Sequence, residues 1–314
     1  MPGEIARCIV AGGAARLVVA LTTPAAEEAA RRHQSLGAAA LALARGTTAG
    51  LLLSTLTKDE ERVTLQVLGD GPLGGLTVDA TSAGLVRAYL RNPAARLSPL
   101  RAVTATAPDR MSLAAAVGRG IVHVMRDLGL RETFSGETQI ATGEIDDDVE
   151  HYLIASEQID SALACDGLLV DPGTSSDGAG AIAISGGILV QALPGTDGAD
   201  IVAAARERLR AGALTRALAT RPSTVEELLQ AALGDALPSV QVLDRREVRF
   251  HCPCSRERAA ASLTLLGASE LKSMILDDGK AEVTCNFCRE RYEFDEKELE
   301  EIRREATPPS GPPS

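Results

Sequence analysis

The densest chemistry in this sequence lies near its C-terminal end. Cys252-Pro253-Cys254 is followed, about thirty residues on, by Cys285-Asn286-Phe287-Cys288, and a fold that joins two such close pairs commonly holds a tetrahedral Zn²⁺. The second pair is an ordinary C-x-x-C; the first, C-x-C, is tighter and less usual. The expectation is one zinc per chain on Cys252, Cys254, Cys285 and Cys288, structural and sensitive to oxidation. Four unrelated buried cysteines would not cluster in this way. Four thiolates on one dication leave net negative charge, which Arg256, Arg258, Arg289 and Arg291 could offset. Basic neighbours also favour thiolate over thiol and so favour oxidation. The bland reading of these arginines is solvated surface. His251 could replace one thiolate, but four cysteines already complete the shell.

Other reactive residue types form no constellation. Cys8 and Cys165 lie in apolar contexts that suit small core residues. His33, His123 and His151 are scattered, with no Ser/His/Asp or Cys/His grouping, so no catalytic residue is assigned and an enzyme is not expected. Gly69-Asp70-Gly71-Pro72-Leu73-Gly74 matches G-x-G-x-x-G, yet a strand-like segment follows where a dinucleotide site needs a helix. The expectation is a hairpin turn, type I′ or related, on Asp70-Gly71, with no nucleotide cofactor. No Walker A pattern occurs. Asp146-Asp147-Asp148 could bind a metal, but a helix N-terminus accounts for the run.

Composition narrows the class further. The chain has 314 residues, 45% hydrophobic and 24% charged, with 2% aromatic and no Trp, so its core must be built from Ala, Leu, Val and Ile. The net charge of −11 and the lack of a Lys/Arg block argue against a nucleic-acid partner. No run approaches the ~20 apolar residues of a membrane span, and the N-terminus lacks a signal-peptide pattern. A cytoplasmic protein is expected, where clustered cysteines more often bind metal or do redox chemistry than hold static disulfides.

The elements that must position the cysteines read as α+β: a mostly antiparallel sheet domain with helices, a helical linker and a small C-terminal zinc-binding domain. In residues 1–197, Thr23-Pro24 reads as a cap with Pro opening a helix, and Glu27 to Leu56 as helical with a break near Ser35-Leu36-Gly37. Val63 to Leu68 and Gly75 to Asp79 read as strands around the Gly-rich turn, followed by strands at Gly120 to Arg126, Gly136 to Ala141, Ala162 to Val170 and Ala179 to Leu193. Asp146 to Ile159 reads as a helix. Helices are expected to cover one face of the sheet. Residues 198–247 carry short helices, Ile201 to Arg210 and Thr224 to Leu233, interrupted by Gly212, Pro222, Gly234 and Pro238, and need docking against something else. Residues 248–305 form the cysteine unit, and 306–314 a disordered tail by composition.

Phe250-His251-Cys252-Pro253-Cys254-Ser255-Arg256-Glu257-Arg258, with Cys285-Asn286-Phe287-Cys288 and Tyr292-Glu293-Phe294, resembles the zinc end of the bacterial 33 kDa chaperonin family of redox-regulated heat-shock holdases. Leu65 to Pro72, Gly143-Glu144-Ile145, Tyr152 to Ile159 and Gly187 to Pro194 extend the resemblance over most of residues 1–305. The resemblance implies a client-binding domain over 1–197, a metastable linker over 198–247 and a redox switch over 248–305. It implies that the reduced, zinc-bound form is inactive. Oxidation would form disulfides Cys252–Cys254 and Cys285–Cys288, release zinc, unfold the linker and expose surface that holds unfolding proteins without ATP. It also implies a homodimer in the oxidised state. The alternative class is a zinc-ribbon module that contacts nucleic acid or a partner protein, with the metal purely structural.

Overall fold

The computed structural model describes residues 2–57, 61–95, 110–127, 133–170 and 180–306. The expected tail beyond Ala306, and Ala179 at the head of an expected strand, lie outside them. In chain order the elements are β1 (Gly3–Val10), β2 (Ala15–Leu21), α1 (Thr23–His33), α2 (Ala38–Ser54), β3 (Arg62–Gly69), β4 (Leu76–Thr81), β5 (Leu85–Leu90), α3 (Ala114–Val117), β6 (Gly120–Asp127), β7 (Phe134–Gln139), α4 (Ile145–Ala155), β8 (Ser161–Leu169) and β9 (Ile182–Ala192). They continue with α5 (Ala199–Arg210), α6 (Ala213–Ala219), α7 (Val225–Leu233), β10 (Val240–Phe250), α8 (Arg256–Thr264), α9 (Ala268–Asp277), β11 (Lys280–Thr284), β12 (Arg291–Asp295) and α10 (Glu296–Glu305). The chain forms two units, Met1–His251 and Cys252–Ser314.

The first unit is built on a ten-stranded sheet in the order β7-β6-β3-β4-β5-β10-β1-β2-β9-β8. All its neighbours are antiparallel except β10 and β5, which are parallel and pair only at Arg249↔Leu85 and Phe250↔Val86. The expected antiparallel α+β class is therefore observed. The expected strands and helices from Val63 to Leu193 are present with ends moved by a few residues. The expected helix cap shifts by one: Thr22 is the N-cap, its side chain makes no capping bond, and Pro24 lies in the first turn.

Apolar patterning explains what covers the sheet. Helix α2 is buried along its whole length, which suits its almost uniformly apolar sequence. It lies against the sheet so closely that a Cβ on Gly46 would sit 2.2 Å from Leu76 Cδ2, and one on Gly50 2.6 Å from Val78 Cγ1. These two glycines are what let helix and strand meet. The core on this face joins Leu41, Leu43, Leu51 and Leu52 to Val63, Leu65, Val78 and Val124. The expectation that helices cover one face is incomplete. Helices α5, α6 and α7 cover the opposite face of β1, β2, β8 and β9, burying Val202, Leu214, Leu218 and Leu228 against Leu17, Val19, Ile188 and Val190. Strand β2 alternates weakly because both its faces are buried, and a continuous apolar run carries no period.

Residues 198–247 thus hold α5 to α7 and most of β10. The helices' docking surface is the sheet. Strand β10 escaped recognition because Asp244-Arg245-Arg246-Glu247 interrupts its apolar pattern. It pairs with β1 from Gly3↔Val248 to Val10↔Val240 and so sits inside the sheet. Its last residue, Phe250, lies beneath the Arg32 guanidinium, 5.1 Å from the ring centre.

Candidate metal centre

The second unit is a small framework around two turns. Cys252-Pro253-Cys254 leaves the end of β10 without regular structure. Ser255 then caps α8, its hydroxyl accepting from the Arg258 N–H at 3.3 Å. The Arg258 guanidinium turns back to donate to the Pro253 carbonyl at 2.8 Å, which pins the first turn to the helix. Cys285 to Cys288 form the turn of the β11–β12 hairpin. It is closed by the Cys285 N–H donating to the Glu290 carbonyl and the Arg289 N–H to the Cys285 carbonyl, each at 2.9 Å. Arg289 adopts a left-handed backbone, φ 62°, to complete it.

Together the turns bring the four sulfurs within 4.8 Å of one another. Cys252 and Cys285 approach to 3.7 Å and Cys254 and Cys288 to 3.2 Å. A tetrahedral site with metal–sulfur bonds of about 2.3 Å has sulfur–sulfur edges near about 3.8 Å, whereas a disulfide needs about 2.05 Å. None of the four is joined in a disulfide. The donor set and spacing are compatible with a soft, tetrahedral metal ion. Burial raises the Cys285 and Cys288 thiols above their ordinary range, against backbone N–H groups that lower them. A dication among the sulfurs would reverse that burial penalty, since metal binding deprotonates its thiols.

Three of the four neighbouring arginines, Arg256, Arg258 and Arg291, show contacts with the framework. Arg256 donates to the Glu293 carbonyl at 2.6 Å and Glu298 at 2.7 Å, and stacks 4.6 Å over the Phe294 ring. Arg258 holds the Pro253 carbonyl, and Arg291 reaches Glu282 at 3.6 Å. Their shown contacts are with the framework. Tyr292, named in the sequence only as part of a motif, donates its hydroxyl to Cys254 Sγ at 3.2 Å. Asp295 and Glu298 form a capping box at the start of α10, which fixes the helix behind the hairpin.

The remaining candidates separate as follows. Among the described residues the four cysteines are the one group of three or more potential metal donors. His251 is exposed and outside it. Cys8 and Cys165 are buried in the cores on opposite faces of the sheet, and burial pushes the Cys8 thiol to about 11 and the Cys165 thiol well up. Both are inert core residues, as their context suggested. Residues 70–75 link β3 to β4 as a turn with no helix at Gly74. The expected type I′ turn on Asp70-Gly71 is not formed: the positive φ angles fall on Gly74 and Gly75. Asp70 accepts from the Arg119 N–H at 2.7 Å and the Gly71 N–H donates to the Val117 carbonyl at 2.9 Å, so the loop is shaped by its packing on the segment after α3.

Asp146, Asp147 and Asp148 open α4, as read. Asp148 accepts from the N–H groups of Ala141, Thr142 and Gly143 at 2.9 Å, and Asp146 pairs with Arg110 and accepts from the Cys165 N–H at 3.1 Å. Sequence reasoning missed the buried cation to which this acidic segment belongs. Arg45, fully buried in α2, donates to Glu144 at 2.6 Å, to Asp166 at 2.9 and 3.0 Å and to the Met111 carbonyl at 2.6 Å. Asp166 also accepts the Thr215 hydroxyl at 2.6 Å. A lone arginine inside an apolar helix was the available signal, because a buried charge must be paired.

Comparison with known proteins agrees with this arrangement. Residues 3–295 match the family described as Hsp33 protein. A protein named 33 kDa chaperonin from Gloeobacter violaceus is 40% identical over 311 residues, spanning 96% of this chain and 95% of its own. One of the same name from Bacillus velezensis is 36% identical over 302 residues, spanning 96% and 98%. The crystal structure of a 33 kDa chaperonin (heat shock protein 33 homolog) from Thermotoga maritima superposes with a TM-score of 0.74 at 28% identity, covering 97% of this chain and 98% of that one.

Proposed function

The chain belongs to the Hsp33 chaperone family, and from that premise we propose that it is an ATP-independent holdase switched on by oxidation. The observation that carries the reading is the set of four cysteine sulfurs gathered within 4.8 Å, beginning two residues after the last residue of a central strand. Cys252, Cys254, Cys285 and Cys288 are assigned as the ligands of one Zn²⁺ in the reduced protein. Bound there, zinc would tie the two turns together and keep the sulfurs from repelling one another. Structural zinc contributes ~10 kcal/mol or more to such small units. This unit needs it: its core is limited to side chains such as Leu263, Leu271, Phe294, Leu299 and Ile302.

One thiolate of a pair attacks a peroxide oxygen, the O–O bond breaks, the sulfur becomes a sulfenic acid and the other oxygen leaves as hydroxide. The partner thiolate attacks that sulfur, expels a second hydroxide and closes the disulfide. Pairing Cys285 with Cys288 and Cys252 with Cys254 consumes two peroxides and leaves no thiolate ligand. The C-x-C disulfide closes a very small ring and is comparatively easy to reduce, which makes the switch reversible. Residues 252–305 then lose their staple. Because only His251 separates Cys252 from β10, loosening reaches the two-pair contact of β10 with β5 first and passes back to α5, α6 and α7. Their release uncovers the apolar face that holds clients.

On this reading residues 1–197 bind clients, 198–247 are the metastable linker and 248–305 the switch. The partners are unfolding proteins and, in the oxidised state, a second copy, with no part for nucleic acid or membrane. The protein works in the cytoplasm and is not an enzyme. Among the described residues no single helix is long and apolar enough to cross a membrane. The test is zinc release and suppression of client aggregation measured together, with peroxide at mild heat. Both should rise together and both reverse on reduction. Zinc release with no gain in aggregation suppression leaves only a structural zinc module.

A further inference from the structure

The hydroxyl of Tyr292 has no packing role that a phenylalanine could not fill. Tyr292 pairs with Val283 in the β11–β12 hairpin, and its ring lies on the same side of β12 as Phe294, against the small core of the second unit. The ring supplies apolar contact, and the O–H adds one contact, a hydrogen bond donated to Cys254 Sγ at 3.2 Å. Backbone N–H groups of Phe287 and Cys288 act on Cys285, and that of Glu290 on Cys288. Those come with the turn itself and belong to any C-x-x-C hairpin. The donor to Cys254 comes from a side chain on a different element, so it is a separate feature of this sequence.

We infer that Tyr292 is a positioning residue that restrains the oxidation of Cys254, through a hydrogen bond to the sulfur whose lone pair must attack the oxidant. The inference deepens the proposed redox reading and rests on it. In the reaction with a peroxide, that lone pair forms the new S–O bond while the O–O bond breaks. The sulfur becomes S–OH and one hydroxide departs. Cys252 then displaces the second hydroxide to form the disulfide. A hydrogen bond to the sulfur draws electron density from the nucleophile and has to weaken as the S–O bond forms, so it slows the first step. Groups that hydrogen-bond to metal ligands tune a site in the same way. The hydroxyl also ties the first cysteine turn to the hairpin that carries the second, so Cys254 stays in register with Cys288 while it is held back.

The test compares the reduced full-length protein with Tyr292→Phe, after elemental analysis has established one zinc per chain. Each is treated with limiting hydrogen peroxide, and oxidation of each cysteine is followed by site-resolved mass spectrometry alongside metal release and thermal melting. Cys254 should oxidise about three- to tenfold faster in Tyr292→Phe, the scale of losing part of one hydrogen bond to a charged sulfur. Cys285 should change little, and the melting temperature should stay within about 2 °C. An unchanged Cys254 rate overturns the inference. So does an equal acceleration of all four cysteines, or the same Cys254 profile in Phe294→Leu, since either would show a loosened core. Zinc missing from the wild-type protein would defeat the metal reading at the first step. If the protein as isolated holds no zinc yet keeps the β11 and β12 amides protected, selective alkylation of Cys254 by iodoacetamide in wild type and Tyr292→Phe reads the hydrogen bond, and equal rates overturn the inference.

Discussion

At the scale of single residues, the cysteines act as a set and the buried charges as a network. On the proposed assignment of the four cysteines to one zinc, replacing Cys285 with Ser removes a soft ligand and should weaken zinc binding severely. The double variant Cys285→Ser/Cys288→Ser should retain no tight, stoichiometric zinc by elemental analysis after dialysis; retention would remove these residues from the site. Arg45 has two carboxylate partners, all three side chains buried. Arg45→Met leaves Glu144 and Asp166 uncompensated and should cost about 3–5 kcal/mol in urea unfolding, the range for breaking a buried pair. Asp147 behaves in the opposite sense. Burial, then the nearby Asp146 charge, push its carboxyl from 3.8 to about 7. The folded state therefore keeps a proton that the unfolded chain gives up, and stability falls as pH rises between those values. Asp147→Asn should match wild type near pH 4 and exceed it at pH 8. Equal stability at both values would show that the carboxyl carries no such penalty.

The elements between the sheet and the cysteines decide how a local oxidation could be felt elsewhere. Helices α5, α6 and α7 are short, and isolated helices below ~12–15 residues are marginal in water. What holds them is the apolar sheet face, together with Arg206 and Arg210 on the buried Glu150 at 3.2 and 3.0 Å. Strand β10 leads from them straight to Cys252. Hydrogen exchange after peroxide treatment should show lost protection across 198–305, most fully in 252–305, while the β3–β4 ladder from Val63 to Val78 keeps its protection. Unchanged protection in α5 to α7 beside complete metal loss would uncouple the helices from the switch.

For the molecule as a whole, the two units differ in what stabilises them. Met1–His251 has extensive cores on both faces of its sheet, whereas Cys252–Ser314 has one small cluster. A unit of that size needs a staple to stay folded. Chelating the metal from the reduced protein should abolish the calorimetric signal of the small unit, and the main transition should move by only a few degrees. A second unit that stays folded without metal, judged by protected amides in β11 and β12, would contradict a structural role for the ion.

Much of this architecture was legible in sequence because its causes are local. The two cysteine pairs announce a cysteine cluster through spacing alone, and alternation from Val63 to Val67 marks a strand whatever lies beside it. The apolar run from Ala38 to Leu53 marks a buried helix in the same way. The remainder depends on residues far apart in the chain. Strand β10, charged and irregular in pattern, becomes central only because β1 and β5 lie on either side of it. Helices α5 to α7 gave no sign of their docking surface, since an amphipathic stripe states that it must be covered and not by what. Arg45 finds Asp166 across 121 positions, and Tyr292 finds Cys254 across 38. Spacing and periodicity constrain a chain over one or two turns or strands; which distant partner satisfies a buried charge or a sulfur is settled only when tertiary packing brings the two together.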